Sequence, residues 1–171
     1  MALFPEQSPS SEAPPRRRQP APTAEITFGW LAPEELQADP ELDELIAAQY
    51  REFGDLMPEP DWERIQAACR HGFFRVWAAK VDSEIVGWVE FNVGPHYHYA
   101  GTKFGWDSGH WCRPEYRPWL LIRMWRTALC ALQDIGVHIV IAHSNRRKPL
   151  DAAFKRLGFE PAGAMFRKVL R

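Results

Sequence analysis

The stretch from Gly109 to Phe159 constrains the fold of this 171-residue chain more than any other part. From Pro118 to about Ile135, Leu121, Met124, Trp125, Ala128, Leu132 and Ile135 recur at three- and four-residue steps, as a helix with one buried stripe requires. Gly136 stops that helix, and Val137 to His143 follows as an apolar, β-branched run of the parallel-sheet type. A strand ending at Trp111 and Cys112 precedes the helix. Strand, helix and strand in this order call for a right-handed crossover between parallel neighbours. The expected fold class is therefore α/β, a mixed central sheet flanked by helices.

The upstream segments supply the rest of the sheet. Ile26 to Trp30 reads as a short first strand. A helix punctuated at its entry by Pro33 and Pro40 runs on through Glu41 to Tyr50, with Leu42, Leu45, Ile46, Gln49 and Phe53 on one face. Gly54 and Asp55 close it. Pro60, Asp61 and Trp62 open a second helix that buries Trp62, Ile65 and Cys69 and stops at His71-Gly72. Phe73 to Val81, a turn at Asp82-Ser83, and Glu84 to Val93 then read as a hairpin. Alternation puts Val86, Trp88, Glu90 and Asn92 on one face and Ile85, Gly87, Val89, Phe91 and Val93 on the other, the better core face. Gly94 to Gly101, with alternating His and Tyr, reads as a loop at the mouth of a cleft. His96 and His98, with His110 or Asp107, are too sparse a set to expect a metal. The next strand, about Lys103 to Cys112, contains Gly109, a place for a β-bulge.

Arg113-Pro114-Glu115-Tyr116-Arg117 between strand and helix, the x-Ile-Val-Gly hairpin at Glu84 to Gly87, and the ending Leu157-Gly158-Phe159-Glu160 together resemble the GNAT N-acetyltransferase superfamily. The resemblance covers roughly Ile26 to Leu170 and is most specific from Gly109 onward. The closing segment is also similar to small GNAT-type proteins of bacteriophage genomes. The resemblance implies acetyl-CoA as co-substrate and an amine acceptor: a protein lysine, an N-terminus or a small molecule. It implies that the splayed strand offers the backbone of Trp111 and Cys112 to the pantetheine arm. Arg117 and the helix start formed by Pro118, Trp119, Leu120, Leu121 and Ile122 would face the pyrophosphate as an anion nest. Asn145 matches a family asparagine that contacts CoA. Leu120 and Ile122 stand where the family carries glycines, and Phe154 stands where it often carries a proton-donating tyrosine.

Acetyl transfer needs a neutral amine, stabilisation of the oxyanion and a proton for the leaving thiolate. Glu90, if its face borders the cleft, is one candidate base. Asp107 and His110 are two more, depending on the bulge. His143 is the fourth, at the carboxyl end of a strand where ligands bind in open α/β sheets. The departures at Leu120, Ile122 and Phe154 support a rival class, a non-catalytic member of the same fold that binds proteins through its tryptophan-rich surface. In the same region of the chain, Trp62, Met57 and Phe53 are candidates for an apolar acceptor wall.

Composition sets outer limits. A formal charge of -1 argues against a general nucleic-acid binder, so the Arg16 to Arg18 run reads as part of a solubilising tail. Residues 1–24, rich in proline, read as a disordered tail, and 25–171 as the acyltransferase domain. No apolar run approaches a membrane span, and the N-terminus lacks a signal-peptide core. Three cysteines, Cys69, Cys112 and Cys130, without CxxC fit a reducing cytoplasm. A homodimer is among the expected assemblies.

Overall fold

Both faces of one sheet are covered by helices, and this arrangement decides which side chains meet. The computed structural model describes residues 25–38, 42–53, 59–144 and 150–163. Its strands are β1 (Ile26–Trp30), β2 (Phe74–Val81), β3 (Glu84–His96), β4 (Tyr99–Cys112) and β5 (Ile139–Ile141). They lie in the order β1-β2-β3-β4-β5, antiparallel except for the parallel pair β4 and β5. The helices are α1 (Glu35–Ala38), α2 (Leu42–Phe53), α3 (Trp62–Arg70), α4 (Trp119–Asp134) and α5 (Asp151–Arg156). The parallel crossover expected from the sequence is therefore β4, α4, β5, with a short 3-10 turn over Pro114–Tyr116 leading into α4.

On one face, α4 packs across β2, β3 and β4. Val89, Phe91, Leu120, Met124, Trp125, Leu132 and Phe154 form its core. On the other face, Leu31, Leu36 and Leu42 meet Val76, Ile85, Trp88 and Trp111, with Trp62 and Ile65 of α3 packed against them. The α3 helix starts where Asp61 accepts a hydrogen bond from the Arg64 N–H at 3.0 Å, satisfying one of the donors that a helix start leaves unpaired. The β2–β3 turn places Asp82 and Ser83 at φ 49° and 73°, the left-handed pair that a two-residue hairpin needs.

Several expectations are corrected. The alternation along β3 breaks at Val86, because Ala79 pairs with Gly87 while Lys80 pairs with Ile85. The extra residue turns Val86 toward α4 and puts Ile85 on the Trp88 face. Trp88 is thus core, because helices cover both sides. The segment 94–101 is not a loop: β3 and β4 continue through it to a tight tip at Tyr97-His98. Six residues of strand separate His96 from Glu90, about 20 Å at the usual rise, so the His–Tyr tip is not a cleft mouth beside Glu90. There His96 packs on Tyr99, Phe104 and Trp106. The run from Val137 to His143 yields only three strand residues, and Ile139 is 43% exposed rather than buried. The helix read as continuous from Pro33 divides into α1 and α2, with residues 39–41 outside the described set. The 1–24 tail, Met57 and Asn145 lie outside the described residues, as does the side chain of Phe53.

Candidate functional site

The parallel ladder ends early. Phe104, Gly105 and Trp106 pair with Ile139, Val140 and Ile141, and among the described residues β4 is paired from Asp107 onward on its β3 side only. At this fork sits a second bulge. Glu90 faces Gly109 and Phe91 faces Asp107, so Ser108 is the extra residue, and its hydroxyl bonds the Asn92 side chain. The expected irregularity at Gly109 is present, and it decides the orientation of its neighbours. Because of the extra residue, Asp107 and His110 both share the α4 face, opposite Phe91 and Val89, while Glu90 faces the other way.

Asp107 is 4% exposed and ties the fork together. Its Oδ2 lies 3.2 Å from His110 Nδ1 and accepts the backbone N–H of His143 at 3.2 Å. His143 Nδ1 in turn lies 2.8 Å from the Asp107 carbonyl. A carbonyl only accepts, so His143 carries its proton on Nδ1. A carboxylate oxygen facing His110 Nδ1 favours the tautomer that donates from Nδ1. The His110 ring meets Trp125 at 5.9 Å and Phe154 at 6.3 Å, both edge-on. Phe154 is buried between Trp125 and Phe159. Phe154 therefore packs edge-on against the histidine that faces Asp107.

Across the sheet, Glu90 lines an apolar pocket of about 230 Å³ between β2, β3 and helices α1 to α3. Burial pushes its carboxyl from the ordinary 4.5 up to about 7. Trp88 Nε1, donating to Glu90 Oε1 at 2.9 Å, and the nearby His110 pull the other way, while Asp107 adds to the rise. Gly109 makes the close approach feasible. A Cβ there would lie 2.8 Å from Gln49 Nε2 and 3.2 Å from Glu90 Oε2. Gln49 is buried on α2, and Tyr50, next to it, shares the pocket wall with Glu90. Burial and the Glu90 charge both raise the Tyr50 phenol. Sequence reading assigned Gln49 to a helix stripe and missed Tyr50. The one available signal was a polar residue within an otherwise apolar stripe.

The start of α4 tests the fit to a phosphate. Leu120 is 0% exposed and belongs to the core beneath the helix, so it does not crowd the helix N-terminus. Ile122 N–H is spent on Pro118 O at 3.4 Å. Helix geometry leaves the N–H groups of Trp119, Leu120 and Leu121 without an intrahelical acceptor, and Pro118 at the N-cap offers no side-chain cap. No acidic residue stands in the first turn. An anion is what such a terminus attracts, so these residues fit a pyrophosphate. Arg117 folds back: its Nε donates to Cys112 O at 2.6 Å, and the guanidinium lies 5.6 Å from the Trp111 ring centroid. It braces the turn against β4. The Cys112 thiol is buried and pushed up to about 12, which makes it a packing group. Among the described residues there is no cluster of three or more metal-ligating side chains.

Compared with solved structures, the chain has the fold of the GNAT acetyltransferases, a mixed sheet flanked by helices. It superposes on an aminoglycoside acetyltransferase from an uncultured soil metagenomic sample with a TM-score of 0.69 and 17% sequence identity, covering 85% of this chain and 97% of that one. A GCN5-related N-acetyltransferase from Ralstonia eutropha gives 0.67 at 15% identity, with 85% and 99% covered. A predicted acetyltransferase from Clostridium acetobutylicum, solved with acetyl-CoA, gives 0.61 at 11% identity, with 85% and 96% covered. No family model matches the sequence, and no curated protein matches it. No helix among the described residues is long and apolar enough to cross a membrane.

Proposed function

We propose that this chain transfers an acetyl group from acetyl-CoA to a primary amine, with Glu90 as general base and His110 as proton donor to the leaving sulfur. The observation that carries the reading is the pairing of two proton-handling groups on opposite faces of one bulged strand pair: Glu90 in an apolar pocket, Asp107–His110 at the fork. Acetyl-CoA, when bound, supplies the activated acyl group as a thioester. Trp119, Leu120 and Leu121 would hold its pyrophosphate with backbone N–H groups, and the unladdered edge of β4 from Asp107 to Cys112 would lie along its arm.

Glu90 at about 7 is half ionised near neutral pH, so it can take one proton from an incoming ammonium and pass it to solvent. The neutral nitrogen then bonds to the acetyl carbon, and the carbon–sulfur bond breaks with its electron pair on sulfur. His110 Nε2, unprotonated in this tautomer, takes the second proton lost by nitrogen and gives it to that sulfur. Asp107 and His143 act as positioning residues: they fix the orientation and tautomer of His110. Phe154, with no proton to give, forms the wall that holds the imidazole edge.

Isothermal titration with acetyl-CoA, followed by mass spectrometry of amine mixtures, tests the proposal. One-site binding and an amine heavier by one acetyl group are expected. Binding without any acetylated amine would return the chain to the non-catalytic class, and no binding would remove acetyl-CoA altogether.

A further inference from the structure

The pocket that holds Glu90 is more selective than the phrase "a primary amine". Its described walls include Leu36, Ile46, Trp62, Ile65, Phe74 and Trp88. The only other polar side chains among the described lining residues are Tyr50 and Glu59, and no lysine, arginine or histidine is among them. A neighbouring depression shares Ile46, Glu59, Pro60 and Trp62 with this pocket and adds Asp43, a second carboxylate. The adjoining depression is therefore acidic, and the described walls of the pocket itself are mostly apolar and aromatic.

We propose that the acceptor is a primary amine carried on an aromatic or bulky apolar body, and that polyhydroxylated sugars and phosphorylated amines are excluded. This inference rests on the acetyl-transfer reading and names the acceptor class for the same site. Four physical arguments lead to it. Sugar hydroxyls buried against Leu36, Ile65 and Phe74 would lose water and gain no partner. A phosphate would need a cation or a helix N-terminus, and the described lining supplies carboxylates instead. An apolar cavity of about 150 Å³ holds benzene. The 230 Å³ here accommodates a ring with a short side chain that brings its nitrogen to Glu90. The carboxylates Asp43 and Glu59 draw in the ammonium form, and Trp62 and Trp88 line the pocket with aromatic surface that suits a ring.

The test is calorimetric titration of the full chain with 2-phenylethylamine, kanamycin and glucosamine 6-phosphate, each with and without saturating CoA. The expected result is that 2-phenylethylamine binds at least about ten-fold more tightly than either polar amine. Trp62→Ala should weaken that binding by about ten-fold, through loss of aromatic contact. Ile46→Lys, a change on an outer wall, should weaken it further and relieve the bias against the phosphate. Circular dichroism identifies any variant that fails to fold, and the wild-type ranking stands without either variant. Equal or tighter binding of kanamycin or glucosamine 6-phosphate would overturn the inference. So would the absence of heat with 2-phenylethylamine in both the presence and absence of CoA. A parallel titration with acetyl-CoA separates the two failures. Acetyl-CoA binding without the amine preference rejects the acceptor class alone, and loss of acetyl-CoA binding rejects the transferase reading even if the apolar amine binds.

Discussion

Replacing Glu90 by glutamine should raise stability and slow transfer by about 100-fold or more, and both effects follow from the same burial. The shift of the Glu90 carboxyl from 4.5 to about 7 corresponds to about 3 kcal/mol of disfavoured ionisation in the folded chain. Because the carboxylate keeps some contact with the pocket opening, about 1–3 kcal/mol is the range to expect. The folded state binds more protons than the unfolded state between pH 4.5 and about 7, so the wild type loses stability as pH rises through that window and levels off above it. Glutamine keeps the shape and the acceptor for Trp88 Nε1 but never ionises. Urea unfolding at pH 4 and pH 8 reads the difference. Near-equality is expected at pH 4, and the variant should be more stable by about 1–3 kcal/mol at pH 8. A difference that is the same at both pH values, or a less stable variant at pH 8, would refute the argument that this carboxylate is held against its solvation preference. In the same protein, kcat/KM should lose its ascending limb near pH 7, since no base remains to deprotonate the amine.

Other expectations follow from neighbouring contacts. Leu120→Gly, which restores a family-like glycine, should cost about 3–5 kcal/mol in urea unfolding and leave phosphate affinity unimproved, because Leu120 is core. His110→Ala should lower kcat by about 100-fold with little change in the acetyl-CoA KM. Adding Phe154→Tyr to that variant should recover part of the loss, since position 154 adjoins the vacated imidazole site. Gly109→Ala should displace Gln49 and Glu90 and reduce kcat/KM by about ten-fold, with circular dichroism unchanged.

The parts of the fold readable in the sequence are those set by local pattern. The periodicity of α4, its stop at Gly136, the Asp82-Ser83 turn and the Asp61 cap all depend on residues within a few positions of one another. What escaped was decided at longer range. Met124, Trp125, Ala128 and Leu132 of the expected stripe are buried and Leu121 and Ile135 pack against the same core, but Leu120 and Ala131, also buried, escaped, because a 3.6-residue period leaves the edges of a stripe open until a partner face is known. The bulge at Val86 arises from register with β2, and one extra residue there reversed the faces expected for Ile85 and Val86. The candidate site shows the same division. Glu90, Asp107, His110 and His143 were visible as chemistry, but the bulge at Ser108 separates Glu90 from the other three. Gln49 and Tyr50 come from a helix some forty residues upstream, and only the folded chain brings them to Glu90.

The most direct test of acetyl transfer through Glu90 and His110 is one time course of 2-phenylethylamine acetylation, followed by mass spectrometry with acetyl-CoA present. Wild type, Glu90→Gln and His110→Ala are run side by side at pH 8. N-acetylated product should accumulate with the wild type and fall by about 100-fold or more in each variant. Product formation at undiminished rate in both variants would contradict the account.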